Sequence, residues 1–332
     1  MSNDVRSAIG IDVGGTAIKL GLIDGRGSIL ASETLATRVE GGPEESVIAI
    51  AEGVARLIAE SGLDCKAITG VGIGAPGPAD YSKGLLYAPA NLPGWNDFPL
   101  RDRVAERLGL SVAFDNDANL AALGEWWTGA GRGVDNLVML TLGTGVGSGI
   151  ILNGRVFRGS HQNGAELGHM IIVQDGRACR CGQRGCLESY SSANAAAEMA
   201  REAAREHRRS CLQRKLERRE EITAEDLVEA VRSGDEAAVA VWDRVCKSLA
   251  VACVNIQHVL NVELVLLGGG MADAGATLLD SVRGHFAEQC WTLAQDQPRI
   301  ELARLGNDAG IVGGAKLAFD SDGSGTGTIP EH

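Results

Sequence analysis

Residues 7–34 read SAIGIDVGGTAIKLGLIDGRGSILASET, and their pattern decides the fold. Ser7–Val13 is a β-branched and apolar run that ends in Gly14-Gly15. Ala17–Ile23 is a second strand-like run, Asp24-Gly25-Arg26-Gly27 is a hairpin turn signal, and Ser28–Thr34 returns as a third strand. The same order comes back further along. Asn136–Leu142 is apolar, Gly143-Thr144-Gly145 is a glycine turn, and Gly147–Leu152 precedes an Asn153-Gly154 turn and Arg155–Phe157. Helical spacing of apolar residues predicts helices over Glu44–Ser61 (behind Pro43), Leu100–Leu108, Ala118–Trp127 and Gly310–Phe319. A long helical stretch is expected from about Ser192 to His258, interrupted near Thr223. Ala67–Ile73, Val112–Phe114 and Leu264–Leu267 read as further strands. Strands alternating with helices give an α/β class. The repeated opening predicts two related halves, with a boundary near residues 118–135.

The composition bounds the function. The chain has 332 residues, enough for about two domains at roughly 150 residues each. Its 45 glycines are about twice the usual share of roughly 7%, without a collagen period, so they are expected in tight turns and at close backbone approach to a ligand. A net charge of −12 argues against a nucleic-acid partner. Arg201–Arg219 holds eight basic residues, but five acidic ones lie within Glu202–Glu221, so a solvated helix face is expected there. No apolar run approaches a membrane span, and MSNDVRSAIG lacks the layout of a signal peptide, so a cytoplasmic protein is expected. Of eight cysteines, Cys65, Cys211, Cys246, Cys253 and Cys290 are scattered and expected to be small buried hydrophobes.

The two glycine turns are candidate phosphate cradles. Backbone N–H groups of Gly14-Gly15-Thr16 and of Gly143-Thr144-Gly145 can donate to anionic oxygens with no Cβ in the way. Asp12, beside the first turn, suits Mg²⁺. Each turn alone serves equally well as a hairpin. Two of them at matching places in two halves imply one nucleotide held in a cleft between the halves.

Cys179-x-Cys181-Gly-x-x-Gly-Cys186 supplies three thiolates on a glycine turn, and His169 is the fourth candidate ligand. Cys₃His is a closed structural zinc set with no vacant position for catalysis. Glu166 and Glu188 flank it, so the metal would tie together two carboxylates and an imidazole, groups that suit the hydroxyls of a polyol. In Phe114-Asp115-Asn116-Asp117-Ala118-Asn119 a strand gives way to a helix. A carboxylate there can accept a hydroxyl proton in phosphoryl transfer to an alcohol. Asp117 or Asn116 serves equally as a plain helix cap.

Taken together these pieces resemble the ROK family (repressors, open reading frames and kinases) of the actin-like, RNase H-like sugar kinase superfamily. The resemblance runs from IDVGGTAIKLGLID to LGNDAGIVGGAKLA, through GIGAPGP, NLPGW, FDNDANLAALGE, TLGTGVGSGI, ELGH, CRCGQRGCLES and LLGGGM. It implies an α/β fold of two actin-like domains with a cleft between them. The first would be 1–120, completed by the helix 308–320, and the second 121–307 with the zinc motif, followed by a flexible tail over 321–332. It implies ATP binding by Asp12, Gly14, Gly15, Thr16, Lys19, Gly143, Thr144 and Gly145, with Gly268, Gly269 and Gly270 against the adenosine. Asp117 would be the catalytic base. Gly74, Asn91, Asn116, Asp117, Glu166, His169 and Glu188 would bind the sugar, and His169, Cys179, Cys181 and Cys186 one zinc ion. The family's repressors carry a helix-turn-helix ahead of these motifs. None is expected here, since the phosphate motif begins at Asp12.

The function these residues predict is ATP- and Mg²⁺-dependent phosphorylation of a hexose at its C6 hydroxyl, with glucose favoured by NLPGW through the resemblance alone. An N-acetylglucosamine or N-acetylmannosamine kinase shares every motif. A non-catalytic sugar-sensing regulator is the reading from a different class, and a polyphosphate-dependent kinase ranks below both. A homodimer is expected from the resemblance, with no nucleic-acid or membrane partner.

Overall fold

The computed structural model describes residues 6–37, 41–290, 292 and 296–322. The chain divides into two units. Unit 1 holds the residues up to Arg132, the short segment Arg158–Gln162 and the chain from Asn307; unit 2 holds Gly133–Phe157 and Asn163–Gly306. From residue 323 on, the expected tail lies outside the described residues.

Unit 1 opens with β1 (Ser7–Val13), β2 (Ala17–Asp24) and β3 (Ile29–Ala36), an antiparallel meander turning where the sequence places its glycines. Helix α1 (Gly42–Ser61) carries Pro43 in its first turn, where the missing N–H costs nothing. Strand β4 (Ile68–Ala75) follows, then the two-residue strands β5 (Ala79–Asp80) and β6 (Leu85–Leu86), α2 (Leu100–Leu108), β7 (Val112–Asn116) and α3 (Asp117–Trp127). The sheet order is β3-β2-β1-β4-β7, with β4 parallel to both β1 and β7.

Unit 2 repeats this plan. Strands β8 (Leu137–Leu142), β9 (Val146–Leu152) and β10 (Arg155–Val156) form the meander. Four helices come next in chain order: α4 (Glu188–Ser191), α5 (Ala193–Glu206), α6 (Cys211–Glu217) and α7 (Ala224–Arg232). They are followed by α8 (Glu236–Leu260), β11 (Leu264–Gly268), α9 (Ala276–Gln289) and β12 (Arg299–Leu302). The order is β10-β9-β8-β11-β12, with β11 parallel to β8 and β12. Meander first, then two parallel strands on the side of the first strand, is therefore written twice, as the repeated glycine-turn pattern predicts.

The stretch read as one helix from Ser192 to His258 with a break near Thr223 is four helices, α5 to α8. All three breaks, the expected one at Thr223 and the two at Ser210 and Asp235, carry side-chain caps. Ser210 accepts from Leu212 N–H, Thr223 and Asp226 form a reciprocal capping box, and Asp235 accepts from the N–H groups of Ala237 and Ala238. Arg205, Arg208, Arg209, Arg218 and Arg219 are exposed, as a solvated face requires. Of the five scattered cysteines, Cys246, Cys253 and Cys290 are buried and Cys211 is half-buried. Cys65 corrects the expectation: it is exposed, on a single 3₁₀ turn that buries no residue.

One packing detail positions the site. The last helix, α10 (Ala309–Ser321), belongs to unit 1 and lies across β1 and β4 at glycine distance. A Cβ on Gly10 would stand 1.7 Å from the carbonyl oxygen of Ile311, and one on Gly72 1.9 Å from that of Gly314. The other sheet face buries Ile9, Ile11, Leu20, Ile50, Val54 and Ile73 in one apolar cluster. In unit 2, Trp242, Val245 and Leu249 of α8 pack with Val138 and Leu140 of β8 and Val282 of α9. Among the described residues no helix is long and apolar enough to cross a membrane.

Candidate active site

Strand register gathers the unit 1 candidates. Asp12 is the penultimate residue of β1 and pairs with Gly74 of β4, which in turn pairs with Asp115 of β7; Ala75 pairs with Asn116. Asp12, Gly74 and the Asn116-Asp117 pair thus stand side by side at the carboxyl ends of three adjacent parallel strands, where open α/β sheets place their ligands. Gly74 is tight against the base candidate: its Cβ would lie 3.3 Å from Asp117 Cα.

Strand β7 runs two residues further than predicted, to Asn116, and α3 begins at Asp117. The capping reading holds for Asn116, whose Oδ1 accepts from the N–H groups of Ala118 (2.9 Å) and Asn119 (3.2 Å). Its Nδ2 donates to Tyr81 Oη at 3.2 Å, an amide hydrogen away from the cap. Asp117 Oδ1 accepts from Ala118 N–H at 2.8 Å. Burial raises the Asp117 carboxyl above the usual carboxylate range, opposed by hydrogen bonds from the backbone of Ala118 and Asp117 and from Asn116. Burial also lifts Asp12 to about 6, with the charge of Asp117 adding to the rise and Lys19 opposing it. Lys19 faces Asp12 across the β1–β2 ladder and donates to the carbonyl of Asn307 at 2.9 Å.

The first glycine turn is closed by Gly14 N–H to Ala17 C=O (2.9 Å), and Thr37 Oγ1 donates to Gly14 C=O (2.7 Å). Thr16 is exposed at its tip. The loop of Asn91 backs onto the turn, where a Cβ on Gly15 would be 2.6 Å from Asn91 C=O. Asn91 is itself exposed, and the fully buried Leu92 and Trp95 anchor its loop.

Unit 2 gathers a second group. Gly143 N–H donates to Gly145 C=O (3.0 Å), and Ala193 N–H, at the start of α5, donates to Gly143 C=O (2.8 Å). Glu188 lies under this turn, with Oε2 accepting from Val146 N–H at 3.0 Å. Its Oε1 is 4.0 Å from Cys179 Sγ. One carboxylate therefore touches both the glycine turn and the cysteine cluster. Gly269 comes against the residue that leads into the same turn, since a Cβ on it would lie 2.6 Å from Leu142 C=O, while a Cβ on Gly270 would meet nothing within 4 Å.

The four metal candidates converge. Ligand atoms of His169, Cys179, Cys181 and Cys186 all lie within 4.8 Å of one another. His169 Nδ1 is 3.7 Å from Cys179 Sγ, and Cys181 Sγ is 3.7 Å from Cys186 Sγ. A tetrahedral zinc with Zn–S of about 2.3 Å and Zn–N of about 2.0 Å sets sulfurs about 3.8 Å apart and sulfur and nitrogen about 3.5 Å apart. The donor set therefore fits zinc. The knuckle is built by its own backbone, with Cys179 N–H to Gln183 C=O (2.9 Å) and Gly182 N–H to Cys179 C=O (3.0 Å). Without metal, burial pushes the Cys186 thiol up to about 12, while the Gln183 backbone pulls Cys181 down. With His169 Nδ1 turned to the cluster, its Nε2 is left for another partner. Glu166 is exposed at the start of the 3₁₀ turn Leu167–His169.

Sequence reasoning missed Tyr81, and the roles of Asp115, Asn119 and Arg158. Asp115 stood in the quoted stretch, but a run of Asp-Asn-Asp does not say which carboxylate faces inward.

Comparison with known proteins matches this geometry to a family. A model of the ROK family matches residues 8–321. The chain is similar to the glucokinase of Halalkalibacterium halodurans, 37% identical over 317 residues, 95% of this chain and 96% of the relative. It is also similar to the N-acetyl-D-glucosamine kinase of Shigella boydii, 33% identical over 93% of this chain and 98% of the relative. Among solved structures, a ROK family glucokinase from Streptomyces griseus in complex with glucose and AMPPNP matches with a TM-score of 0.76 and 34% identity, over 95% of this chain and 99% of the other.

Proposed function

We propose that this chain, which belongs to the ROK family, is an ATP-dependent hexose kinase that transfers the γ-phosphoryl group to the C6 hydroxyl of glucose. The observation that carries the reading is the meeting of Asp12, Gly74 and Asp117: register sets Asp12 level with Gly74 at the carboxyl ends of β1 and β4, and Asp117, one residue past the end of β7, lies 3.3 Å from where a Cβ on Gly74 would stand. The actin-like, RNase H-like order repeated in both units, and relatives named glucokinase at 37% and 34% identity, support it.

In this reading Asp117 accepts the C6 hydroxyl proton as that oxygen attacks the γ-phosphorus, and ADP leaves. A carboxylate whose proton affinity is raised by burial takes a proton more readily than an exposed one, which suits a base. Asn116, with its Nδ2 beyond the cap, Gly74, Asn91, Glu166, His169 and Glu188 are the groups this reading assigns to the sugar. Gly14, Gly15, Thr16 and Lys19, with Gly143, Thr144 and Gly145, receive the phosphates through backbone N–H groups and one ammonium, and Gly268–Gly270 lie against the adenosine.

A half-buried carboxylate beside a second carboxylate is a fit place for a cation, so Asp12 would hold Mg²⁺, which would supply charge neutralisation of the phosphates. His169, Cys179, Cys181 and Cys186 would hold a structural zinc. The same reading makes the protein a cytoplasmic enzyme working as a homodimer.

The test is an ADP-release assay across hexoses and N-acetylhexosamines. Glucose is expected to give the highest kcat/KM. A preference for N-acetylglucosamine would move the protein beside its N-acetylhexosamine kinase relatives. Sugar binding with no ADP release from any sugar would replace the enzyme with a sugar-sensing regulator.

A further inference from the structure

The carboxylate next to the base is buried and ion-paired, and it is held from a distant part of the chain. Asp115 is fully buried, with 0% of its side chain exposed, against 34% for its partner Arg158. Arg158 grips one carboxylate oxygen, Oδ2, with Nε at 2.7 Å and with a second guanidinium nitrogen. The other oxygen, Oδ1, accepts from the backbone N–H of Asn116 (2.7 Å) and from Asn119 Nδ2 (2.9 Å). Asn116 in turn caps α3, whose first residue is Asp117.

Arg158 begins a five-residue segment that belongs to unit 1 although the chain on both sides of it belongs to unit 2. Two nitrogens on one oxygen, from a planar guanidinium, fix the direction of the carboxylate as well as its charge. A buried carboxylate deprived of its cation must move toward water or take up a proton. Either response disturbs the bond from Asn116 N–H to Oδ1, one residue from the base.

We propose that Arg158 is a positioning residue for phosphoryl transfer, acting through Asp115 to hold the Asn116-Asp117 turn in place. The proposal rests on the reading of Asp117 as the base. It assigns Arg158 no contact with sugar or nucleotide, and therefore separates kcat from KM.

The experiment compares Arg158→Gln, the double variant Asp115→Asn/Arg158→Gln, and Asp117→Ala in the full chain. Rates are normalised to the folded fraction given by glucose-binding stoichiometry in calorimetry. Arg158→Gln is expected to lower kcat roughly 10- to 100-fold, as misplacement of a reacting group by about an ångström does, with KM for glucose and ATP within about twofold. In the double variant the amide introduced at position 115 keeps an acceptor for Asn116 N–H, and no buried charge is left unpaired. Its kcat should return to within a few-fold of the parent.

An unchanged kcat in Arg158→Gln, a loss appearing equally in KM, or a double variant as slow as the single one would each overturn the proposal. If Arg158→Gln does not fold, the double variant decides alone: folded and active supports the role, folded and inactive overturns it. A fast Asp117→Ala enzyme would instead sink the base assignment, and the recovery in the double variant would still report whether Arg158 works through Asp115.

Discussion

Gly145 rests on the carboxylate of Glu188: a Cβ at residue 145 would stand 2.4 Å from Glu188 Oε2. The same oxygen accepts from Val146 N–H, and the other carboxylate oxygen reaches toward Cys179. Within unit 2, the glycine turn assigned to phosphate and the carboxylate assigned to sugar are thus one packed object.

Gly145→Ala should therefore damage two binding functions with one methyl group. Displacing Glu188 is expected to raise KM for glucose and for ATP together, each by about tenfold or more, as expected when a built site is pushed out of place by about an ångström. Zinc content should stay at the parent level. Steady-state kinetics with each substrate varied in turn, and metal analysis, would check it. A rise confined to ATP would show that the turn and Glu188 act separately.

Asp117→Ala should lower kcat by roughly 10²–10⁴, the range of general-base contributions, while glucose still binds in calorimetry. Turnover near the parent rate would remove Asp117 from the mechanism.

Asp12 predicts an exchange of stability against activity that depends on pH. Its carboxyl sits at about 6 in the folded chain, against 3.8 as its ordinary value. Between those values the folded state binds more protons than the unfolded one, so this group's contribution to stability falls as pH rises and is fully unfavourable above about 6. The difference corresponds to about 3 kcal/mol at most. Asp12→Asn should therefore melt higher than the parent at pH 7.5, with the gain gone near pH 4, and be nearly inactive at both. A melting temperature for the variant at or below the parent's at pH 7.5 would contradict this.

Cys181→Ser should lose zinc and, with it, glucose affinity, because His169 and the segment bearing Glu188 are tied to the same cluster. Structural zinc contributes on the order of 10 kcal/mol to folding of its segment, so the melting temperature should fall as well. The three thiols must lose protons to bind metal, and burial pushes that of Cys186 up to about 12. Zinc should accordingly be released as pH is lowered, which a chromogenic chelator can follow. Full zinc occupancy in Cys181→Ser would mean that a different ligand set holds the ion.

Much of this was legible in the chain. Ser7–Val13 and Leu100–Leu108 begin and end where the residue pattern says, because alternation, helical spacing and terminal glycines are local signals. The caps at Ser210 and Asp235 were equally local, but a continuous helical spacing of apolar residues masked two of the three breaks between α5 and α8. The convergence of Cys179, Cys181 and Cys186 was readable because a knuckle needs only short spacing and glycines at its corners. Which face of α3 met which strand was not readable, and neither was the exposure of Cys65, since both depend on neighbours far along the chain.

Asp117 as base rests on the family resemblance; residue order alone specified the duplicated α/β plan, the two glycine turns and the cysteine cluster with His169. These follow from periodicity and spacing within about thirty residues. Tertiary structure alone decided which carboxylates count. Parallel register set Asp12 level with Gly74 and Gly74 level with Asp115. Burial then raised Asp12 and Asp117, and Arg158, 43 residues along the chain, closed the charge of Asp115. Burial and ion pairing belong to groups brought together by folding, and no stretch of sequence carries them before the strands are aligned.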